Sequence, residues 1–150
     1  MKGKIFNAQE VQAIIEGNKT MFREVCQVQP SFIVDEEKLN ITHGSDYFKP
    51  KFKVGQEISV KHQESLITLK IKSVKVERLE DISEEDARLE GFPVDHLGNY
   101  YEPSKLDPWQ GYARASFSLS WDPTHKKPEE KWEANPWVFV YEFEVLDLKK

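Results

Sequence analysis

Cysteine and long apolar runs are scarce in this chain. Cys26 is the single cysteine, so an intramolecular disulfide is excluded and nothing requires an oxidising compartment. No apolar run approaches the roughly 18 residues that a membrane-spanning helix needs. The first residues, MKGKIFNAQE, lack the continuous apolar stretch of a signal peptide. We therefore expect a cytosolic protein with no membrane contact.

Recognisable ligand motifs are also missing. Neither a P-loop nor a dinucleotide-binding glycine motif occurs, so no phosphate-binding loop is predicted. The histidines are scattered without the spacing of metal ligands, at His43, His62, His96 and His125. We expect no metal and no cofactor. No DNA-specific motif is present, and no pattern predicts an oligomeric state.

Length and composition are those of one ordinary globular domain. The chain has 150 residues, of which 39% are hydrophobic and 31% charged. That length allows roughly two-thirds of the unfolded surface to be buried in a single core. The formal net charge of −5 means that any contact with a nucleic acid must come from a local basic patch. We predict one domain over residues 1–150.

The N-terminal third contains a well-marked helix. Asn7 and Glu10 have the spacing of a capping box, and apolar residues then recur at helical intervals up to a stop at Gly17. Residues 4–6 before the helix have the pattern of a short strand. Lys19 lies just beyond the helix end, where a turn aims side chains away from the buried stripe. The residues after this turn, 21–28, are predicted to form a strand.

The middle of the chain predicts a long strand and a second helix. Residues 65–79 alternate, but their apolar positions change from odd to even after Ser73, which predicts a β-bulge near residues 72–73. Long strands that change face are typical of small curved barrels. Ser83 then caps a short helix with Asp86 three residues on, and Gly91 ends it.

Two regions, about 29–50 and 92–135, are predicted to be irregular insertions. Within the second, QGYARASFSLSW alternates like a strand, yet it follows a plausible helix start at Asp107-Pro108. Both interpretations stay open at this point. The last segment, residues 137–145, alternates regularly and predicts a half-buried strand.

Several phrases together resemble ASCH domains, small relatives of the PUA RNA-binding domain. IIEGNKT is similar to the ILxGRKT phrase of that family. ITLKIKSVKVERLEDISEEDARLEGF and EANPWVFVYEFEV resemble the central and closing segments of phage and prophage ASCH proteins. SFSLSWDPTHKK resembles the phrase before the closing strand, which is usually helical in those proteins. The four phrases occur in the family's order.

The resemblance implies an α+β fold, a small PUA-like β-barrel of five to six strands with short flanking helices. It also implies a cleft between the turn after the first helix and the second helix. Some small ASCH proteins are amidohydrolases that remove the acetyl group from acetylated cytidine with a lysine, a threonine and a glutamate. The lysine maps to Lys19 and the glutamate to Glu90, while the threonine position is Phe22. Phenylalanine offers no oxygen to attack a carbonyl.

Lys19 and Glu90 are the candidate catalytic residues, and with Thr20 and Arg23 they are candidate ligand-binding residues. Glu90 stands in the last turn of its helix, where the macrodipole disfavours negative charge by about 0.3–1 kcal/mol. A carboxylate placed against that rule indicates a functional role. The alternative is a solvated turn lysine and an exposed glutamate at a helix end.

Lys51 and Trp109 are two further candidate ligand-binding residues. Lys51 belongs to KPKFK, which if extended presents cations on one face beside an aromatic ring for base stacking. A charged edge strand that discourages aggregation is the alternative. Trp109 and Trp132 lie in turn-rich stretches beside prolines, where they either line a cleft or pack in the core.

Three functions follow as hypotheses. The first is a binding module, of phage or prophage origin, for RNA or for a nucleotide or nucleoside. The second is a hydrolase, either an amidohydrolase on an acylated nucleoside or a ribonuclease, that uses Lys19 and Glu90. The third is an accessory protein of phage assembly.

Overall fold

The computed structural model describes residues 2–27, 29, 50–92 and 112–149, which form a five-stranded sheet with flanking helices. In chain order the elements are β1 (Lys2–Gly3), α1 (Ala8–Ile15), β2 (Met21–Val25), β3 (Glu57–His62), β4 (Ser65–Arg78), α2 (Glu84–Leu89), α3 (Tyr112–Trp121) and β5 (Trp137–Lys149). Short 3₁₀ turns follow β4 and α3. None of the helices in this part of the chain has the length and apolar character that crossing a bilayer requires.

The strand order is β1-β3-β4-β5-β2, with β1 parallel to β3 and the other pairs antiparallel. The predicted α+β fold, with five strands and short flanking helices, is confirmed. β4 and β5 are the longest strands, and they pair along almost their full length. Their register shifts between Ile71 and Ser73, which confirms the predicted bulge. A second shift between Thr68 and Leu69 was not predicted.

Both short helices begin at the predicted caps. The Asn7 side chain accepts a hydrogen bond from the Glu10 amide, and the Glu10 carboxylate accepts one from the Asn7 amide, so the capping box of α1 is complete. The Ser83 hydroxyl accepts a hydrogen bond from the Asp86 amide at the start of α2. Gly17 follows α1 with a φ of +82°, a backbone conformation that favours glycine.

Two hydrophobic clusters lie on opposite faces of β5. Phe139, Tyr141 and Phe143 face the first cluster, which α1 covers with Val11 and Ile14. The alternate residues of β5 face the second cluster, which α2 and α3 cover: this cluster contains Met21, Leu79, Ile82, Ala87, Ala113, Phe117, Trp121, Val138 and Val140. Both faces of β5 are therefore buried over residues 138–141, whereas residues 144–149 are exposed.

Residues 112–121, which the sequence left open between strand and helix, form a helix, because Phe117 and Trp121 are buried four residues apart while Leu119 is 78% exposed. Two predictions need correction. Region 92–135 is not irregular throughout, because it contains this helix. The short N-terminal strand is Lys2–Gly3 and not residues 4–6. Most of the first predicted insertion lies outside the described residues.

Candidate functional site

The turn after α1 runs directly alongside the end of α2. The Thr20 amide donates a 2.8 Å hydrogen bond to the Leu89 carbonyl, and Lys19 and Glu90 form an isolated antiparallel bridge. The Thr20 carbonyl in turn accepts a hydrogen bond from the Phe143 amide of β5. Backbone hydrogen bonds therefore hold the two stretches, 71 residues apart in sequence, against each other.

Gly91 permits the close approach of α1 and α2. Its φ is +113°, outside the range that side-chain-bearing residues readily adopt. A Cβ atom at this position would lie 3.3 Å from the Ala13 Cβ and 3.6 Å from the Lys19 Cβ. Only glycine lets the chain leave α2 here without pushing the Lys19 turn away from the helix end.

Lys19 is buried at this junction, with 3% of its side chain exposed. Its ammonium group donates to the Glu90 carbonyl at 2.9 Å and to Glu90 Oε1 at 3.1 Å. The Glu10 carboxylate of α1 lies further out, with Oε2 3.8 Å from the same nitrogen. Lys19 therefore neutralises the carboxylate at the helix end that the sequence marked as unfavourable, and it also binds the carbonyl of that residue.

Arg23 holds the other side of the Glu90 carboxylate. Its Nη1 donates to Glu90 Oε2 at 2.5 Å, and its Nη2 donates to Glu77 Oε1 of β4 at 2.7 Å. Asp86 Oδ2 lies 3.5 Å from Nη2. Burial alone would lower the pKa of Arg23, but the Glu90 and Glu77 carboxylates outweigh it and raise this pKa above its ordinary value. Arg23 is therefore a fixed cation that joins β2, β4 and α2.

An open cavity of about 690 Å³ lies above this ionic cluster. Its floor includes Lys19, Arg23 and Glu90, and its rim includes the first turn of α1. The described residues that line it are Lys4, Ile5, Phe6, Asn7, Gln9, Glu10, Gln12, Lys19, Phe22, Arg23, Glu90, Gly91, Phe92, Phe117, Ser120, Trp121, Thr124 and His125. Three of the candidate residues therefore meet at one cavity.

Aromatic side chains form one wall of the cavity. The Trp121 and His125 rings stack, with centroids 3.6 Å apart and planes 2° from parallel. Phe92 meets Phe117 edge-on at 6.2 Å. No pattern in the sequence assigned a role to this wall. Phe117 and Trp121 are four residues apart and share one face of α3, and His125 follows the 3₁₀ turn after that helix.

The remaining candidates lie elsewhere. Thr20 and Lys51 do not belong to the described lining of the cavity. Lys51 is exposed, with its ammonium 5.3 Å from the Phe52 ring centroid, in a segment of bends that is not a strand. Trp109 lies outside the described residues. Trp132 packs against the second hydrophobic cluster, and the Arg114 guanidinium lies 5.1 Å from its ring.

Phe22, at the family's threonine position, belongs to the aromatic core. It is 2% exposed and stacks on Tyr141 with ring centroids 4.7 Å apart. Phe6 and Phe52 meet its edges at 5.6 and 6.0 Å. This position therefore holds a ring that packs β2 against β5 and against the segment before α1, and it offers no oxygen nucleophile.

Metal and thiol chemistry find no support in the described part of the chain. Within residues 2–27, 29, 50–92 and 112–149 no group of three histidine, cysteine or acidic side chains is placed to hold a metal ion. Burial raises the pKa of the Cys26 thiol to about 12, so the reactive thiolate is negligible at neutral pH. What the site offers is a polar, charge-paired floor beside an aromatic wall.

Comparisons with known proteins give the fold. No protein-family model matches this chain, and no curated protein matches it either. This chain is similar to the solved structure of an Enterococcus faecalis protein of the family model DUF984. The TM-score is 0.56 at 14% identity, and the match covers 100% of this chain and 84% of that one. An ASCH domain from Lactobacillus crispatus has a TM-score of 0.49 at 18% identity, over 96% and 78% of the two chains. The similarity at 14% identity shows a shared fold only. It does not identify a ligand or a reaction.

Proposed function

We propose that this protein binds a nucleobase in the cavity between α1 and the ends of α2 and α3, either as a nucleoside or nucleotide or as an unpaired base of RNA. The observation that carries the proposal is the pairing of an aromatic wall with a charged floor in one cavity of about 690 Å³. Sites for small ligands typically have volumes of about 300–1,000 Å³, with mostly apolar walls and a few converging polar groups.

The wall is suited to a flat heterocycle. Trp121 and His125 already stack on each other, and both rings belong to the lining. Stacking of a base on an aromatic side chain contributes about 1–3 kcal/mol and tolerates any base, because each base has a π-face. The wall therefore supports affinity for bases as a class.

The floor supplies hydrogen-bonding groups whose positions are fixed. The Lys19 ammonium uses two of its three protons on Glu90, at 2.9 and 3.1 Å. Its third proton has no hydrogen-bond partner among the described residues, where the next carboxylate oxygen, Glu10 Oε2, lies 3.8 Å away, and it is offered to the oxygen or ring nitrogen of a bound base. Because Glu90 and Arg23 are themselves held by ion pairs, this donor requires little rearrangement when a ligand binds.

The proposal is tested by calorimetric titration of the full chain with the four ribonucleosides and with an unstructured RNA oligomer. We expect at least one of them to bind, and His125→Ala to weaken that binding by about five-fold or more because one ring of the wall is lost. His62→Ala is the matched control, since His62 is a half-buried histidine on β3 that does not line the cavity. Binding of none of these probes, or equal loss in both variants, would contradict the proposal.

Hydrolysis is a second candidate. Lys19 and Glu90 lie 3.1 Å apart on the cavity floor, within the distance at which an acid and a base exchange protons. Against it stand the ion pairs on both Glu90 oxygens and the missing oxygen at Phe22. Incubation with acetylated cytidine and with RNA, followed by chromatography, decides the question: unchanged substrates exclude both hydrolase hypotheses.

A phage origin and a role in phage assembly stay predictions from the sequence resemblance.

A further inference from the structure

Among the residues that the structure describes, the lysines and the arginine that line the cavity are each paired with a carboxylate. Lys4 is paired with Glu24 at 2.7 Å, and Lys19 with Glu90 at 3.1 Å. Arg23 contacts Glu90, Glu77 and Asp86, as described above. A phosphate that entered the cavity would therefore meet cations whose charge is already balanced, with carboxylates close behind them.

Glu10 adds negative charge at the rim itself. Its side chain is 37% exposed, and its Oε2 lies 3.8 Å from the Lys19 ammonium. The Glu90 carboxylate already balances the charge of that ammonium. The Glu10 carboxylate therefore adds an excess negative charge at the mouth of the cavity. An anionic group that approached Lys19 would have to pass this carboxylate.

Glu10 also occupies the N-terminus of α1, which faces the same cavity. Amide groups at a helix N-terminus attract anions. Here the Glu10 Oε1 accepts a hydrogen bond from the Asn7 amide, while the Asn7 side chain accepts one from the Glu10 amide. Glu10 therefore repels an incoming anion at both positively polarised features of the cavity, which are the N-terminus of α1 at the rim and Lys19 on the floor.

We propose that Glu10 is a specificity-determining residue that makes the cavity select an uncharged base or nucleoside over its phosphorylated form. This inference rests on the proposed function and names its ligand class. Glu10 discriminates through repulsion, since a phosphate carries up to two negative charges and a nucleoside carries none. An RNA strand is disfavoured for the same reason, because phosphates flank every base.

Paired ligands that differ only in a phosphate test the inference. The full chain is titrated at low salt with each ribonucleoside and its 5′-monophosphate, and with the RNA oligomer. We expect the nucleoside to bind more tightly than its monophosphate by about ten-fold or more, a preference that shrinks at high salt. Glu10→Gln keeps an acceptor for the capping box and removes the charge. We therefore expect it to reduce the ratio of the monophosphate and nucleoside dissociation constants by about three- to ten-fold.

Glu64→Gln is the matched control, because it changes net charge equally at an exposed turn between β3 and β4. Glu64→Gln should leave the ratio of the monophosphate and nucleoside dissociation constants unchanged. Tighter binding of the monophosphate or the RNA than of the nucleoside overturns this inference and leaves base binding standing. An unchanged preference in Glu10→Gln overturns the role of Glu10, while binding of no probe overturns the proposed function and the inference together.

Discussion

A Glu90→Gln variant is expected to lose about 3–5 kcal/mol of unfolding free energy, because removing one partner of a buried ion pair leaves charge uncompensated. The Glu90 side chain is 5% exposed, and its two oxygens bind the Lys19 ammonium and the Arg23 guanidinium. After the substitution Arg23 keeps Glu77, whereas the nearest carboxylate to Lys19 is Glu10, at 3.8 Å. Urea unfolding followed by circular dichroism measures the loss.

Glu85→Gln is the matched control on the same helix. Glu85 is exposed in the first turn of α2, so its neutralisation removes only a dipole interaction of about 0.3–1 kcal/mol. If the two variants unfold at the same urea concentration, Glu90 is not the buried centre of an ionic cluster, and the floor described for the cavity is wrong.

Phe22→Thr is expected to cost about 3–5 kcal/mol, the range for truncating a buried phenylalanine. The substitution installs the hydroxyl that the family resemblance assigns to this position, but it empties the space between Tyr141, Phe6 and Phe52. It also buries a polar group in an aromatic cluster. Thermal and urea unfolding of the variant measure the loss.

Phe22→Leu separates the loss of volume from the loss of apolar character. It keeps most of the buried volume, so we expect a cost of about 1.5 kcal/mol or less. A Phe22→Thr variant as stable as wild type would contradict the packed aromatic cluster described around this residue.

Short-range sequence patterns correctly predicted the helix starts and the β-bulge in the elements that surround the site. The capping pairs Asn7–Glu10 and Ser83–Asp86 fix where the two short helices begin, because side chain and backbone donor lie within one turn of each other. The change of apolar phase after Ser73 located a bulge, since a strand has only two faces. Such features are encoded within a few neighbouring residues.

The ionic cluster below the cavity was only partly predicted from the sequence. Lys19 and Glu90 were selected from the resemblance and the helix-end position, but Glu77 was not, since on β4 it is one charged residue among several that alternate with apolar ones. Its role depends on pairing with Arg23, 54 residues away in sequence. Contacts of that range depend on the tertiary fold and leave no local pattern.

The aromatic wall was missed for a different reason. Serines between Phe117, Leu119 and Trp121 imitate the two-residue period of a strand, so the segment was open to either interpretation. The exposure of Leu119 and the burial of its two neighbours show that packing selected the helical period. Once the segment is a helix, Phe117 and Trp121 fall on the side that faces the cavity, and the 3₁₀ turn that follows brings the His125 ring onto Trp121.

The most direct test of the account is a ¹⁵N-edited NMR titration of the full chain with the ribonucleoside that binds. The Trp121 indole N–H, which donates to the Glu130 carbonyl at 2.7 Å, is assigned with a Trp121→Phe variant. We predict that this signal and the amides of Gly91 and Phe92 show the largest shifts, because these residues line the cavity. Shifts that cluster instead around Lys51, with the Trp121 and Gly91 signals unmoved, would contradict a base-binding cavity at the junction of α1 and α2.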